Sequence, residues 1–227
     1  MDASAFVAEL ASHNDSILSR LAPAQTLTAE AGGDLSPRNL LRLALKNELE
    51  ASEIAAMWMP SAGSAGLKLA LARQAGDEAR HYRLIAERLH ALGDNLDGFD
   101  PLAQGYSPLF KFLAALQTDV ERVAAGQFTR EAIALVKNVQ FIELCERAGD
   151  PATAMLYRGV IQPDEQHHHQ LGRHFLQLLA TNDESQRLAR DAQARTIALA
   201  EELQTLAFKR SGVQMPITCR ASSAIRR

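Results

Sequence analysis

Two copies of Glu-x-x-His constrain this 227-residue chain more than any other feature. The first joins Glu78 to His81 within Asp77-Glu78-Ala79-Arg80-His81. The second joins Glu165 to His168 within Asp164-Glu165-Gln166-His167-His168-His169. Residues three apart on a helix lie one above the other on one face, so each pair presents a carboxylate and an imidazole together. Such a pair can grip one cation. A lone copy is ordinarily a solvated pair, but two copies ask for a fold that brings two helices face to face.

The chain has the patterning for helices and no convincing strand. Ala and Leu are abundant and aromatic residues make up only 5%, which favours helix. Phe6, Val7, Leu10, Ile17, Leu18 and Leu21 recur at helical spacing over 3–21. Pro23 to Leu35, with Gly32-Gly33, reads as a loop. Ser36-Pro37 is a cap followed by a first-turn proline; this helix reaches about Met59, where Pro60 stops it. The next runs from after Ser64 to about Leu92, ended by Gly93. Residues 94–107 form the longest connection. Ser107-Pro108 repeats the start signal, and one helix is expected from there to about Ala148, with Gly126 a candidate kink. Gly149-Asp150-Pro151 turns the chain into a helix ending near Leu179, with a bend expected at Pro163. Thr181-Asn182-Asp183 caps a last helix to about Lys209. The order is a leading helix, four core helices with a long middle connection, and a trailing helix.

The helices before each motif offer the missing carboxylates. Glu48 shares an apolar stripe with Leu41, Ala44, Leu45, Ala51 and Ala55; Glu50 lies well round the helix from it, and Glu53 is a weaker candidate. Glu131 has Gln127 and Phe128 before it and Ala134 and Leu135 after. Glu143 and Glu146 lie too near a helix end. Glu48 and Glu78 are 30 residues apart, and Glu131 and Glu165 are 34 apart. At about 1.5 Å per residue, either span goes up one helix, round a turn and back to the same height. The candidate metal ligands are therefore Glu48, Glu78, His81, Glu131, Glu165 and His168. His169, four residues after Glu165, rivals His168 on geometry alone; the twin spacing of His81 favours His168. Four carboxylates balance two divalent ions, and oxygen-rich ligation suits iron or manganese better than structural zinc. A vestigial, metal-free site in a helical interaction protein is the bland alternative.

Around this set, Asp77, Arg80 and Asp164 are placed to orient ligands, although Asp164 reads equally well as a solvated acid. Tyr157 reads as a core tyrosine, with a role beside the metals as the alternative. His167, His174, Trp58 and Tyr82 read as surface or packing residues, and Cys145 as a small apolar one.

Composition narrows the classes. A formal charge of −3 makes no case for nucleic acid or an anionic membrane. Two cysteines, Cys145 and Cys219, build neither a disulfide framework nor an all-cysteine metal site, and a reducing cytoplasm fits them. No apolar run is long enough to span a bilayer, and Met1-Asp2-Ala3-Ser4 lacks the basic start of a signal peptide.

Asn47-Glu48-Leu49-Glu50-Ala51, Asp77-Glu78-Ala79-Arg80-His81-Tyr82 and Asp164-Glu165-Gln166-His167-His168 together resemble the ferritin-like di-iron carboxylate superfamily. That group spans bacterioferritins, rubrerythrins, the ribonucleotide reductase small subunit, bacterial multicomponent monooxygenases and a tRNA hydroxylase. The wording is also similar to bacterial ferritin-like proteins of this size. The resemblance implies an all-α, ferritin-like four-helix bundle over about 37–180, with a long crossover between its second and third helices and extra helices at both ends. One domain over 1–210 would carry a loose tail, 211–227. It also implies two metal ions, iron first, with manganese or a mixed Mn/Fe pair open. The expected activity is O2-activating oxidation of a small substrate. The alternative is iron handling as a ferroxidase, peroxidase or store. O2 or peroxide and a separate electron donor are the expected partners, a homodimer is open, and neither membrane nor nucleic acid is expected.

Overall fold

The computed structural model describes residues 1–21 and 34–211, and among these there is no strand. Among the described residues seven helices follow one another. α1 is Ala3–Leu21, α2 is Pro37–Trp58 and α3 is Ala65–Ala91, with a tight turn Met59–Ser61 between the last two. α4 is the short Pro108–Ala115. α5 covers 119–147 and α6 covers 151–179, and α7 is Asp183–Ser211. Most of the loop expected at 23–35, and the tail expected from 211 onward except its first residue, lie outside the described residues.

The helix starts follow the local chemistry. The hydroxyls of Ser36, Ser64 and Ser107 accept the backbone N–H groups of Asn39, Leu67 and Phe110. Asp150 accepts from Thr153 and Asn182 from Ser185. Each such cap contributes about 1 kcal/mol by satisfying an otherwise unpaired donor.

Three irregularities depart from the sequence reading. The helix expected over 108–148 is broken after Ala115, because Thr118 and Glu121 form a capping box that starts α5 afresh. The kink expected at Gly126 is a π-helical segment, Ala124–Arg130, after which Glu131 N–H donates to Gly126 O, five residues back. Ahead of Pro163, likewise, Tyr157–Ile161 is π-helical, and Gln162 N–H donates to Tyr157 O. A π turn leaves a carbonyl without its usual partner. In α5 this is relieved by side chains: Phe128 O accepts from Asn14 Nδ2 of α1 at 3.4 Å and pairs with His169 Nδ1 of α6 at 2.9 Å.

Packing places α2 antiparallel to α3, with contacts running from Arg42–Asp94 to Ser52–Ala75. α5 and α6 are antiparallel too, from Leu135–Gln162 to Phe128–His169. They approach closely at Gly172, where a Cβ would sit 2.7 Å from the Gln127 and Phe128 backbone. α1 lies against α5 and α6, α7 lies against α5 and α1, and α4 lies on α2 and α7. Two apolar clusters fill the interior. One holds Phe6, Leu71, Trp58, Phe128 and Leu176; the other holds Leu41, Leu45, Ile85, Leu89, Phe141 and Ile161. On each of α2, α3, α5 and α6, the residues between the two clusters are the carboxylates and histidines singled out above. The polar level is thus sealed by apolar packing above and below, which keeps water away and strengthens every charge interaction within it.

Candidate metal centre

All six candidate residues meet. Glu48 comes from α2, Glu78 and His81 from α3, Glu131 from α5, and Glu165 and His168 from α6, and every one is buried. They form two overlapping groups, Glu48–Glu78–His81–Glu165 and Glu78–Glu131–Glu165–His168; within each, one donor atom per residue lies within 4.8 Å of the others. Glu78 and Glu165 belong to both. Glu78 Oε2 lies 3.1 Å from His81 Nδ1 and its Oε1 lies 3.6 Å from His168 Nδ1. Glu165 repeats this, with Oε1 3.9 Å from His81 Nδ1 and Oε2 3.5 Å from His168 Nδ1. The two groups thus share Glu78 and Glu165, with Glu48 at one end and Glu131 at the other.

The histidines are held from behind, and crosswise. His81 Nε2 lies 3.1 Å from Asp164, the acid beside the second motif; His168 Nε2 lies 3.1 Å from Asp77, the acid beside the first. A carboxylate accepts, so each Nε2–H donates outward and each Nδ1 faces the centre. Arg73 and Arg80 in turn pair with Asp77 and Asp164. Asp164 is therefore an orienting group rather than a solvated acid. His169, by contrast, turns away to the Phe128 carbonyl, and His167 and His174 do not join the cluster. Glu50 is buried but serves the fold, accepting from the Ser107 N–H and hydroxyl at 2.8 and 2.6 Å.

Sequence reasoning missed three neighbours. Gln74 Nε2 and the Arg130 guanidinium each donate to Glu131 Oε1 at 2.8 Å, and Gln127 donates to Gln74 Oε1. Gln74 sits one helical turn before Glu78, a spacing that could have flagged it. Arg130 follows Gln127 by three residues, but the π segment changes which way it points, so no α-helical wheel would find it.

A cation would fit what the residues leave unsatisfied. Glu131 Oε2, Glu165 Oε2 and His168 Nδ1 are buried without a hydrogen-bond partner. Each such atom costs about 1–3 kcal/mol, and all three belong to one of the two groups. The electrostatics agree. Burial, reinforced by the charge of Glu78, pushes the Glu48 carboxyl up to about 7 despite its bond to His81. Burial and the neighbouring carboxylates raise Glu165 well above its usual range. Burial alone would lower His81, but hydrogen bonds to Glu48 and Glu78 raise it to about 11. Burial also opposes ionisation of Glu78, yet His81 and the nearby positive charges hold it down near 2. Protons on Glu48 and Glu165 would relieve the crowding of negative charge, and a divalent ion would displace them.

Beside Glu48 and Glu165 lies a cavity of about 240 Å³. Tyr157 and Ala44, Ala51 and Ala134 line it, while Ala55 does not, and α4 and α7 close its outer side. Cys145 is buried in the second apolar cluster, where burial pushes its thiol up to about 12. Comparison with family models, with curated proteins and with solved structures finds no match for this chain.

Proposed function

We propose that this chain is a single-domain, ferritin-like dimetal carboxylate protein. In this reading α2, α3, α5 and α6 form the four-helix bundle, and 92–107 is the crossover between its halves. Iron is the preferred metal, with manganese or a mixed pair as alternatives. The observation that carries the proposal is the paired site itself: two groups of three carboxylates and one histidine, sharing Glu78 and Glu165, with unpartnered donor atoms turned inward.

Each residue has a task in holding two ions. Glu78 and Glu165 would serve both ions, Glu48 and Glu131 would each serve one, and His81 and His168 would add one nitrogen each. Asp77 and Asp164 hold the two Nε2–H groups so that the Nδ1 lone pairs face inward. Gln74 and Arg130 occupy Glu131 Oε1 and leave Oε2 for a cation. When bound, a pair of iron ions supplies electron transfer to O2 or peroxide. The apolar clusters exclude water, and the adjoining cavity gives an organic substrate a place beside the centre. That cavity favours an oxidoreductase acting on a small substrate over iron storage. Its electrons would come from a separate donor. Among the described residues no helix is long and apolar enough to cross a membrane, and the cytoplasm is the proposed location.

Metal analysis of protein purified after growth with iron tests the proposal: about two ions per chain are expected. A folded protein that takes up neither Fe²⁺ nor Mn²⁺ overturns it. Exposure of the Fe²⁺ protein to O2 then separates the two activities. Iron that stays at two ions per chain supports the oxidoreductase, and ferric mineral accumulating beyond that supports storage.

A further inference from the structure

The cavity beside Glu48 and Glu165 carries more than a place for a substrate; its charges say what kind. We propose that it binds a small amphiphilic monoanion, a carboxylate on a short apolar chain, with Arg130 as the group that selects the head. This rests on the dimetal reading above.

Charge balance leads there. Two divalent ions would neutralise Glu48, Glu78, Glu131 and Glu165. The outer acids already have partners: Asp77 pairs with Arg73 and Asp164 with Arg80. Glu50, which also lines the cavity, is held by Ser107 and lies 3.8 Å from Lys46. Arg130 stands apart. Its ion-pair partner is Glu131, and that partner's charge is taken up once cations bind. The Arg130 guanidinium borders the cavity, and Lys137, two turns further along the same face of α5, borders it too. A largely buried guanidinium whose counter-charge is committed to a metal is costly. An entering anion removes that cost, and the planar fork of Arg matches a carboxylate. Most of the remaining wall is apolar, including Ala51 and Ile54 from α2, Leu113 from α4, Ile133 from α5 and Leu203 from α7, while Asn47, Ser107, Asn138 and Tyr157 add polar groups to it. A charged head and an apolar body are thus both provided for, on one side of the metal site. The closing walls come from α4 and α7, which hold none of the six ligands.

Calorimetry on protein loaded with Mn²⁺, its metal content measured first, compares octanoate with 1-octanol. Octanoate is expected to bind at one site per chain, about tenfold or more tighter than the alcohol. Arg130→Gln is expected to weaken octanoate about tenfold and to leave octanol within about twofold. Leu203→Trp, which fills the cavity from the α7 side, is expected to abolish binding of both while Mn²⁺ content stays at the wild-type value. Octanoate binding no tighter than octanol overturns the proposal, as does octanoate affinity that survives Leu203→Trp; both comparisons stand even where Arg130→Gln fails to fold. A chain that takes up no Mn²⁺ overturns the dimetal reading and this inference with it. A chain that takes up Mn²⁺ but does not discriminate the two probes overturns this inference alone.

Discussion

The two hairpins that build the centre solve the same problem differently. α2 and α3 are regular α-helices joined by a tight turn, and their candidate ligands Glu48, Glu78 and His81 fall on simple helical stripes. α5 and α6 each carry a π segment just ahead of a candidate carboxylate: Ala124–Arg130 before Glu131, and Tyr157–Ile161 before Glu165. A π turn inserts extra residues and rotates whatever follows. In α5 it also frees the Phe128 carbonyl, which Asn14 and His169 occupy, and turns Arg130 toward Glu131 and the cavity. The regular half supplies ligands by periodicity. The irregular half supplies ligands together with a charged cavity wall and a close helix contact at Gly172.

The strongest way to break this comparison is to remove a carboxylate that both halves share. Glu165→Ala should take bound metal from about two ions per chain to near zero, because Glu165 belongs to both groups. Glu48→Ala or Glu131→Ala removes an end ligand and should leave more metal than Glu165→Ala does. Metal analysis of the three purified variants checks it, and equal losses would contradict the bridged geometry. Next come the crossed acids. Asp77→Asn frees His168 and Asp164→Asn frees His81, and each should weaken metal affinity by about 10–100-fold, as for other groups that orient a ligand. Chelator competition reads this; if neither change matters, the acids do not position the imidazoles.

Gly172→Ala probes the irregular half. Its Cβ would meet backbone atoms at 2.7 Å, where nothing flexible can yield, so a loss of about 1–3 kcal/mol is expected in denaturant unfolding. The pH dependence of the metal-free protein joins both halves. Glu48 holds its proton in the fold to about pH 7, against an ordinary value of 4.5, and Glu165 is shifted the same way. Glu78, held down near 2, is ionised in both folded and unfolded states across that window. The folded state therefore binds more protons between about pH 4.5 and 7, and its stability should fall as pH rises through that range. Unfolding midpoints at a series of pH values test the sign, and a rise would refute it. The smallest effect belongs to the regular half. Gly76 lies inside α3 with nothing within 4 Å of where a Cβ would stand, so Gly76→Ala should stabilise by about 0.5–1 kcal/mol. Gly172→Ala and Gly76→Ala should move the unfolding midpoint in opposite directions.

What could be read in the residue order follows this division. The caps at Ser36, Ser107 and Asn182 were legible because a cap is a local bond between residues three apart. Glu78 with His81 and Glu165 with His168 were legible because helical spacing alone puts each pair on one face. Glu48 and Glu131 followed from matched heights on neighbouring helices. The break after Ala115 was missed although Thr118 and Glu121 carry the cap pattern, because the apolar run continues across it. Gly126 and Pro163 marked where the two helices depart from regularity, but a glycine or a proline does not say that the departure is a π turn. Arg130 and Gln74 were missed because their partner, Glu131, lies next in sequence to one and 57 residues from the other.

The sequence by itself determined that the chain is helical, where most of its helices begin, and which six acids and histidines could share one level, because caps and faces are set by residues within a turn or two of each other. Only the tertiary structure decided the rest. Glu78 and Glu165 stand between the two histidines, each histidine is held by the acid of the other motif, and His169 turns away to a freed carbonyl. Those outcomes depend on how α3, α5 and α6 meet, and that is set by close packing at Gly172 and two π turns, which neither periodicity nor spacing encodes.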